Sequence, residues 1–199
     1  MKMFKLGAAL LSGLALNASA GLLSHDGAGD PDVPVVVDND IVSGTYNIGS
    51  NLTFDGTFSL MKFTYLGKEA AYVNQFNIDG QQLKNTEAVG STISIGGVGV
   101  AGATNQILDF NFFSEDVSAG VTNGFNQPVG SLQSFAIMLD YTHNGVFYDA
   151  VLLFDDSGFG PDDNHDDMVI GINAYVPEPG SIALLGLGLV GLGISRRKK

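Results

Sequence analysis

Apolar and polar residues alternate along most of this chain, and that alternation constrains its fold more than any other feature. From residue 51, Leu52, Phe54 and Phe58 fall on one side of an extended chain, and threonine and aspartate fall on the other. A period of two residues is typical of a half-buried β-strand. Between the two ends of the chain, no stretch of eleven or more residues has apolar residues at helical spacing. The sequence therefore predicts an all-β domain.

Turn sequences divide the alternating region into seven or eight short strands. After the first strand, the predicted strands are 72–78, 92–95, 107–113, 135–141, 146–154 and 168–175. Asp79-Gly80 and Asn144-Gly145 are among the turns between them, and the second predicts a hairpin. Strands of this number and length favour an antiparallel β-sandwich, either jelly-roll-like or immunoglobulin-like. The apolar phase changes between Leu60 and Met61, which predicts a bulge or tight turn there.

The first twenty residues are typical of a secretory signal peptide. Lys2 and Lys5 form a basic start, residues 6–16 are an apolar run, and Ala18-Ser19-Ala20 supplies small residues before a cleavage point. We expect signal peptidase to cut after Ala20 during export across the inner membrane.

The last residues, 177–199, have three parts of different character. Pro177-Glu178-Pro179 ends the folded region, because closely spaced prolines fit neither a helix interior nor a central strand. Residues 182–194 carry no charge, and residues 196–199 are all basic. The apolar run predicts a short transmembrane helix of about 20 Å, shorter than the roughly 30 Å of a bilayer core. The basic end favours the cytoplasmic side, so the folded domain would face outward.

These three parts together resemble the PEP-CTERM sorting signal of Gram-negative bacteria. The resemblance covers about the last 24 residues, with Pro177, Glu178 and Pro179 as the sorting motif. It implies that exosortase, an intramembrane cysteine transpeptidase, recognises the tail while the protein is transiently in the inner membrane. The processed protein would then reside in the cell envelope, at the cell surface or outside the cell.

Composition limits what the exported part can bind. Residues 21–176 contain three lysines and twenty acidic residues, a net charge of −17, and the chain has no cysteine. Such a domain repels nucleic acid and attracts cations, and it can form neither a disulfide nor a cysteine metal site. We divide it into an acidic lead-in segment, 21–50, and a β-sandwich domain, 51–176. Residues 35–37 are all valine and predict one edge strand within the lead-in segment.

An acidic loop between the last two strands is the predicted metal site. Six aspartates and one asparagine occur between residues 155 and 167, interrupted by glycine and proline. Calcium takes six to eight oxygen ligands, and clustered carboxylates would otherwise repel one another. The alternative is a solvated acidic loop. The spacing is not that of an EF-hand, and His165 has no second histidine nearby for zinc. The proposed calcium ligands are Asp155, Asp156, Asp162, Asp163, Asn164, Asp166 and Asp167.

The same loop carries a second resemblance. Residues 153–156 and 160–169, with residues 63–70 and 74–76, are similar to an extracellular β domain that occurs in many PEP-CTERM cargo proteins. The function of that domain is largely uncharacterised, so the resemblance implies a calcium role by analogy only. It also raises the alternative that Glu69 is a further cation ligand rather than a solvated turn residue.

Three functions remain compatible with the sequence. The first is a non-enzymatic, calcium-stabilised protein of the cell surface or of the extracellular matrix, associated with biofilm or exopolysaccharide. The second is a calcium-dependent carbohydrate-binding module, against which the absence of tryptophan counts. The third, an extracellular hydrolase, lacks a G-x-S-x-G or H-E-x-x-H motif and has only three scattered histidines. We therefore expect no enzymatic activity.

Overall fold

The computed structural model describes residues 22–27, 30–34, 39–126, 133–156, 165–176 and 185–189 of the chain. Its strands are β1 (Leu22–His25), β2 (Asp30–Pro34), β3 (Thr45–Ile48), β4 (Leu52–Asp55), β5 (Thr57–Gly67), β6 (Asn74–Ile78), β7 (Gln81–Lys84), β8 (Thr92–Gly99), β9 (Gln106–Ile107), β10 (Phe110–Ser114), β11 (Ala119–Thr122), β12 (Ser134–His143), β13 (Val146–Asp155) and β14 (Met168–Tyr175).

The strands form three antiparallel sheets within one compact unit, Ser19–Pro177. The largest sheet has the order β2-β3-β12-β13-β14-β5-β8, and smaller sheets have the orders β11-β10-β6-β7 and β1-β4-β9. The prediction of an all-β, antiparallel fold is confirmed, and the layers are consistent with a β-sandwich. The choice between jelly-roll-like and immunoglobulin-like topology stays a prediction. Three strands, β1 to β3, lie in residues 21–50, whereas residues 35–37 lie outside the described residues.

Phenylalanines fill the space between the large sheet and the two smaller ones. Phe112 of β10 stacks on Phe154 of β13, with ring centroids 4.9 Å apart and planes 5° from parallel. Phe76 of β6 packs against Phe63 of β5, with their ring centroids 5.2 Å apart. Inward-facing residues of all three sheets join the same cluster. Because these contacts connect strands of different sheets, the core fixes the sheets against one another.

A second, smaller core lies on the opposite face of the large sheet. Residues 39–44 cover this face, with Val42 buried in one cluster with Tyr46 of β3 and apolar residues of β12, β13 and β14. The side chain of Asn39 shapes the segment, because its Oδ1 accepts hydrogen bonds from the backbone nitrogens of Ile41 and Val42 at 3.0 and 2.8 Å. Residues predicted as a lead-in therefore help to bury the central strands of the sheet.

The change of phase near Leu60 has a different structural basis from the one predicted. Strand β5 is continuous, and its register against β8 is the same from Thr57 to Thr64. The prediction of a tight turn or bulge there is therefore wrong. Leu60 is instead 39% exposed, and Gly97 of β8 adopts a φ of 67° beside it. The register shift of β5 lies further along, where it pairs with β14 around Val169 and Ile170.

The hairpin predicted at Asn144-Gly145 is confirmed. Strands β12 and β13 pair up to His143 and Val146, so that a two-residue turn connects them. Asn144 and Gly145 have φ values of 49° and 79°, as a type I′ turn requires.

In the C-terminal tail, the structure describes a helical turn at residues 185–189. Among the described residues, no helix has both the length and the apolar character needed to cross a membrane. The rest of the predicted apolar helix, 182–194, lies outside the described residues, as do Pro177, Glu178 and Pro179.

Candidate functional site

Both stems of the acidic loop belong to the folded core. Asp155 is the last residue of β13 and Asp156 follows it, whereas Asp166 and Asp167 precede β14. The side chains of Asp155, Asp156 and Asp166 are at most 3% exposed. A solvated position is therefore excluded for these three carboxylates. Three further predicted ligands, Asp162, Asp163 and Asn164, lie outside the described residues.

Strand pairing brings the two stems together. Phe154 of β13 pairs with Met168 of β14, and the backbone nitrogen of Asp167 donates to the Phe154 carbonyl at 3.1 Å. The backbone nitrogen of Asp156 donates to Asp167 Oδ2 at 2.8 Å. The loop is thus closed at its base by one backbone bond and by one bond to a carboxylate.

Two asparagines connect this base to the four-stranded sheet. Asn74 Nδ2 donates to Asp156 Oδ2 at 2.5 Å and to the Asp167 carbonyl at 3.3 Å. Asn85 Nδ2 donates to the same carbonyl at 3.3 Å, and Asn85 Oδ1 accepts from the Asn74 backbone nitrogen at 3.0 Å. Both asparagines are at most 2% exposed. Because buried amides need partners, this geometry ties the loop base to β6 and to the turn after β7.

The segment around residue 40 and the turn around residue 69 contact the loop base from other sides. The backbone nitrogen of Asp40 donates to Asp166 Oδ2 at 3.3 Å, and the backbone nitrogen of Glu69 donates to the Asp166 carbonyl at 2.9 Å. The turn carrying Glu69 therefore lies beside the acidic loop. A cation-binding role for the Glu69 carboxylate stays a prediction.

The electrostatic consequence of this crowding is clearest at Asp167. Burial, together with the neighbouring carboxylates of Asp156, Asp155 and Asp166, raises the pKa of Asp167 to about 7. The hydrogen bond from the Asp156 backbone opposes this shift. Three neighbouring carboxylates thus disfavour the charge of Asp167, which is the situation that a bound cation relieves.

The oxygen-rich surroundings fit a hard cation such as calcium. In addition to the carboxylates, Asn74 Oδ1 is buried and makes no hydrogen bond to the described residues. Among those residues, however, no group of three or more histidine, aspartate or glutamate side chains converges on a point that could hold a metal. A complete site would therefore need oxygens from residues 157–164 as well. Calcium binding at this loop stays a prediction.

Beside the acidic stems, Ser134 and His165 form a buried pair that resembles part of a catalytic site. Ser134 Oγ lies 3.0 Å from His165 Nε2, a distance suited to a nucleophile and its base. Ser134 is only 5% exposed and His165 only 1%. Both members of the pair are therefore buried in the described part of the chain.

Asn74 and Asn85 were not among the predicted site residues. A signal for Asn74 was present, because it falls in the same phase as Phe76 and Ile78, the inward-facing residues of β6. An amide in an apolar phase marks a buried polar group that must find partners. Asn85 lies in a turn, where asparagine is common, so its residue type gave no indication that it is buried.

Comparison with known proteins adds one finding. Residues 176–198 match the PEP-CTERM protein-sorting motif. No curated protein and no solved structure matches the chain. The chain thus carries a PEP-CTERM sorting signal, which implies processing by exosortase and export to the cell envelope or surface.

Proposed function

We propose that this protein is an exported structural or adhesive component of the cell surface or extracellular matrix, and that calcium stabilises its β domain. The sorting motif at residues 176–198 carries this proposal, because it gives the folded domain a destination outside the cytoplasm. In that location the domain would associate with exopolysaccharide or biofilm material. Signal peptidase and exosortase would process its two ends, and the apolar run at 182–194 would hold it briefly in the inner membrane.

The residues at the base of the acidic loop support the calcium part of the proposal. Asp155, Asp156 and Asp166 are buried, and Asp167 has its pKa raised to about 7 by burial and by those three carboxylates. Calcium is abundant outside cells and binds carboxylate and carbonyl oxygens in flexible geometry. Its binding would close the loop from Asp155 to Asp167, with Asp162, Asp163 and Asn164 as further ligands.

A non-enzymatic role is the simpler interpretation of the same residues. The buried aspartates are connected to core asparagines and backbone nitrogens, an arrangement that supports a loop rather than a substrate. The Ser134–His165 pair is enclosed. A domain of this kind would act by binding other molecules at its surface and by remaining folded outside the cell.

The sorting part of the proposal can be tested in the cells that produce the protein. The native chain should reach the cell surface or the medium without its last residues. A variant with Pro177→Ala, Glu178→Ala and Pro179→Ala should keep its tail and remain in the inner-membrane fraction. Glu87→Ala is a matched control, because it removes one carboxylate from the β domain and leaves the motif intact. Equal processing of the motif variant and the native chain would contradict the proposal.

The matrix role has a separate test. A deletion strain should aggregate less or form a weaker biofilm than its parent, and the native gene should restore both properties. The motif variant should fail to restore them because its product stays in the membrane. Normal aggregation and biofilm in the deletion strain would contradict a matrix role, but would leave the sorting route unaffected.

A further inference from the structure

The outer face of the four-stranded sheet presents two ordered rows of side chains across four strands. Strand register places Lys84, Gln75, Phe113 and Gly120 side by side in the first row. The second row, two residues along each strand, contains Gln82, Asn77, Asn111 and Thr122. Directly paired residues of antiparallel strands point to the same face, with about 4.7–4.9 Å between strands. We call these two rows the amide face.

Hydrogen bonds between the side chains fix the amides of this face in position. Gln82 Nε2 donates to Gln75 Oε1 at 2.6 Å and to Asn77 Oδ1 at 2.9 Å. Asn77 Nδ2 donates to Asn111 Oδ1 at 2.9 Å. These bonds leave Gln82 Oε1 as an acceptor and Asn111 Nδ2 as a donor for an external partner. A prearranged set of donors and acceptors loses less conformational entropy when it binds.

Phe113 adds a half-buried aromatic ring to the otherwise polar face. Its neighbours in β10, Phe112 and Ser114, point inward, so Phe113 is not part of the inter-sheet core. The paired residue on β11 is Gly120, which has no side chain to cover the ring. No other residue fits at position 120, since an added Cβ would lie 2.1 Å from the Phe112 carbonyl oxygen. No side chain from position 120 can therefore lie against the ring.

The amide face is nearly neutral, although the domain is strongly acidic. Residues 21–176 have a net charge of −17, yet the only charged residue in the two rows is Lys84. Glu115 Oε1 accepts from Lys84 Nζ at 2.5 Å and also from Gln75 Nε2, so the one cation of the two rows is neutralised by an adjacent carboxylate. An anionic polymer would be repelled by the rest of the domain, and a cationic one would prefer its acidic regions. The charge pattern therefore favours a neutral partner.

We infer that the amide face binds a neutral polysaccharide chain, with sugar hydroxyls bonded to the amides and a sugar ring packed on Phe113. Amide groups match hydroxyls because both donate and accept hydrogen bonds, and an aromatic face suits the C–H face of a sugar ring. This inference rests on the proposed association with extracellular polysaccharide and specifies which surface makes the contact.

The test is co-sedimentation of the full-length chain, kept in mild detergent, with insoluble neutral β-1,4-glucan, β-1,3-glucan and chitin. We expect the native chain to bind at least one of them. Phe113→Ala and the charge-introducing pair Asn77→Asp/Gln82→Glu should each weaken that binding at least tenfold. Phe147→Ala is the matched control, because Phe147 is 50% exposed on the β12–β13 hairpin, away from the four-stranded sheet. It should bind as the native chain does.

Two results would overturn the inference. If the native chain binds none of the three polysaccharides, the amide face is not a neutral-polysaccharide site, whereas sorting and calcium binding are judged by their own tests. If it binds but the amide-face variants bind equally well, the contact lies elsewhere and the proposed association still stands. Thermal unfolding of each variant checks that lost binding is not lost folding. Asn111→Asp provides a third variant in case Phe113→Ala is unstable.

Discussion

Asn74 Nδ2 donates to Asp156 Oδ2 at 2.5 Å, and this bond joins two different sheets. Asn74 begins β6 of the four-stranded sheet, whereas Asp156 directly follows β13 of the seven-stranded sheet. Neither residue is more than 3% exposed. The base of the acidic loop is therefore part of the interface between the two layers, and its stability depends on both.

Replacing Asn74 should show how much its hydrogen bonds contribute to the free energy of unfolding. Asn74→Ala removes the bonds to Asp156 and to the Asp167 carbonyl, and leaves a buried carboxylate with one donor fewer. We expect the free energy of unfolding to fall by about 2 kcal/mol, measured by urea denaturation. Asn77→Ala, at a half-buried position of the same strand, should cost less than half as much. Equal losses in the two variants would contradict a special role for Asn74.

Gly171 should tolerate no side chain. An added Cβ would lie 2.5 Å from the Tyr148 ring, so we expect Gly171→Ala to destabilise the domain by about 1–3 kcal/mol. Gly96→Ala is the control in the same sheet, because its Cβ would lie 3.6 Å from the nearest atom outside its own neighbours. The double variant Gly171→Ala/Tyr148→Ala should lose less unfolding free energy than the sum of the losses in the two single variants. Strict additivity would contradict the clash.

Tyr65 should make the stability of the domain fall at high pH. Burial raises the pKa of Tyr65 to about 12, and its hydroxyl donates to the Asn85 carbonyl at 3.0 Å. Since the folded pKa exceeds the ordinary value of 10, this contribution is complete below pH 10 and is lost as pH rises towards 12. Tyr65→Phe should unfold more easily at pH 7, by about 1 kcal/mol, and lose less stability between pH 10 and 12.

The control for Tyr65 is Tyr72→Phe, because the Tyr72 side chain is 41% exposed. Its unfolding free energy should follow that of the native domain across the same pH range. If Tyr65→Phe also loses stability as steeply as the native domain, another group is responsible for the alkaline transition.

The Asp167 carboxylate should destabilise the domain in the absence of calcium and stabilise it in the presence of calcium. In chelator at pH 8, its charge is unfavourable because burial and three carboxylates raise its pKa. Asp167→Asn should then raise the unfolding temperature by a few degrees, since the asparagine oxygen can still accept from the Asp156 nitrogen. In millimolar calcium the same variant should be less stable than the native domain. A variant that is less stable in both conditions would contradict the electrostatic interpretation.

The sequence predicted the strands because alternation is a local property. The hairpin at Asn144-Gly145 and the strand 168–175 follow from residue type and period alone. What the sequence could not predict depends on pairing between distant segments. The segment that leads into β3 packs on the outer face of the large sheet, and the local pattern of residues 39–48 does not indicate that Val42 and Tyr46 are buried there.

At the candidate site, too, local composition was predictable from the sequence and burial was not. Composition identified the acidic loop, because six aspartates in thirteen residues are conspicuous. It could not show that Asp155, Asp156 and Asp166 are buried, since burial depends on strands β6 and β7 and on the turn near residue 69. The change of phase at Leu60 was misinterpreted because an exposed leucine and a glycine with positive φ on the neighbouring strand can replace a bulge.

The most direct test of the account is thermal unfolding of residues 21–176 in 1 mM calcium and again in chelator. A site with a Kd of about 10 μM would add about 2.7 kcal/mol at this hundredfold excess, a shift of several degrees. The shift should disappear in Asp166→Asn and persist in Asp79→Asn, which changes a carboxylate in a surface turn. An identical unfolding temperature in calcium and in chelator would contradict the account, and would show that the buried aspartates support the loop without a cation.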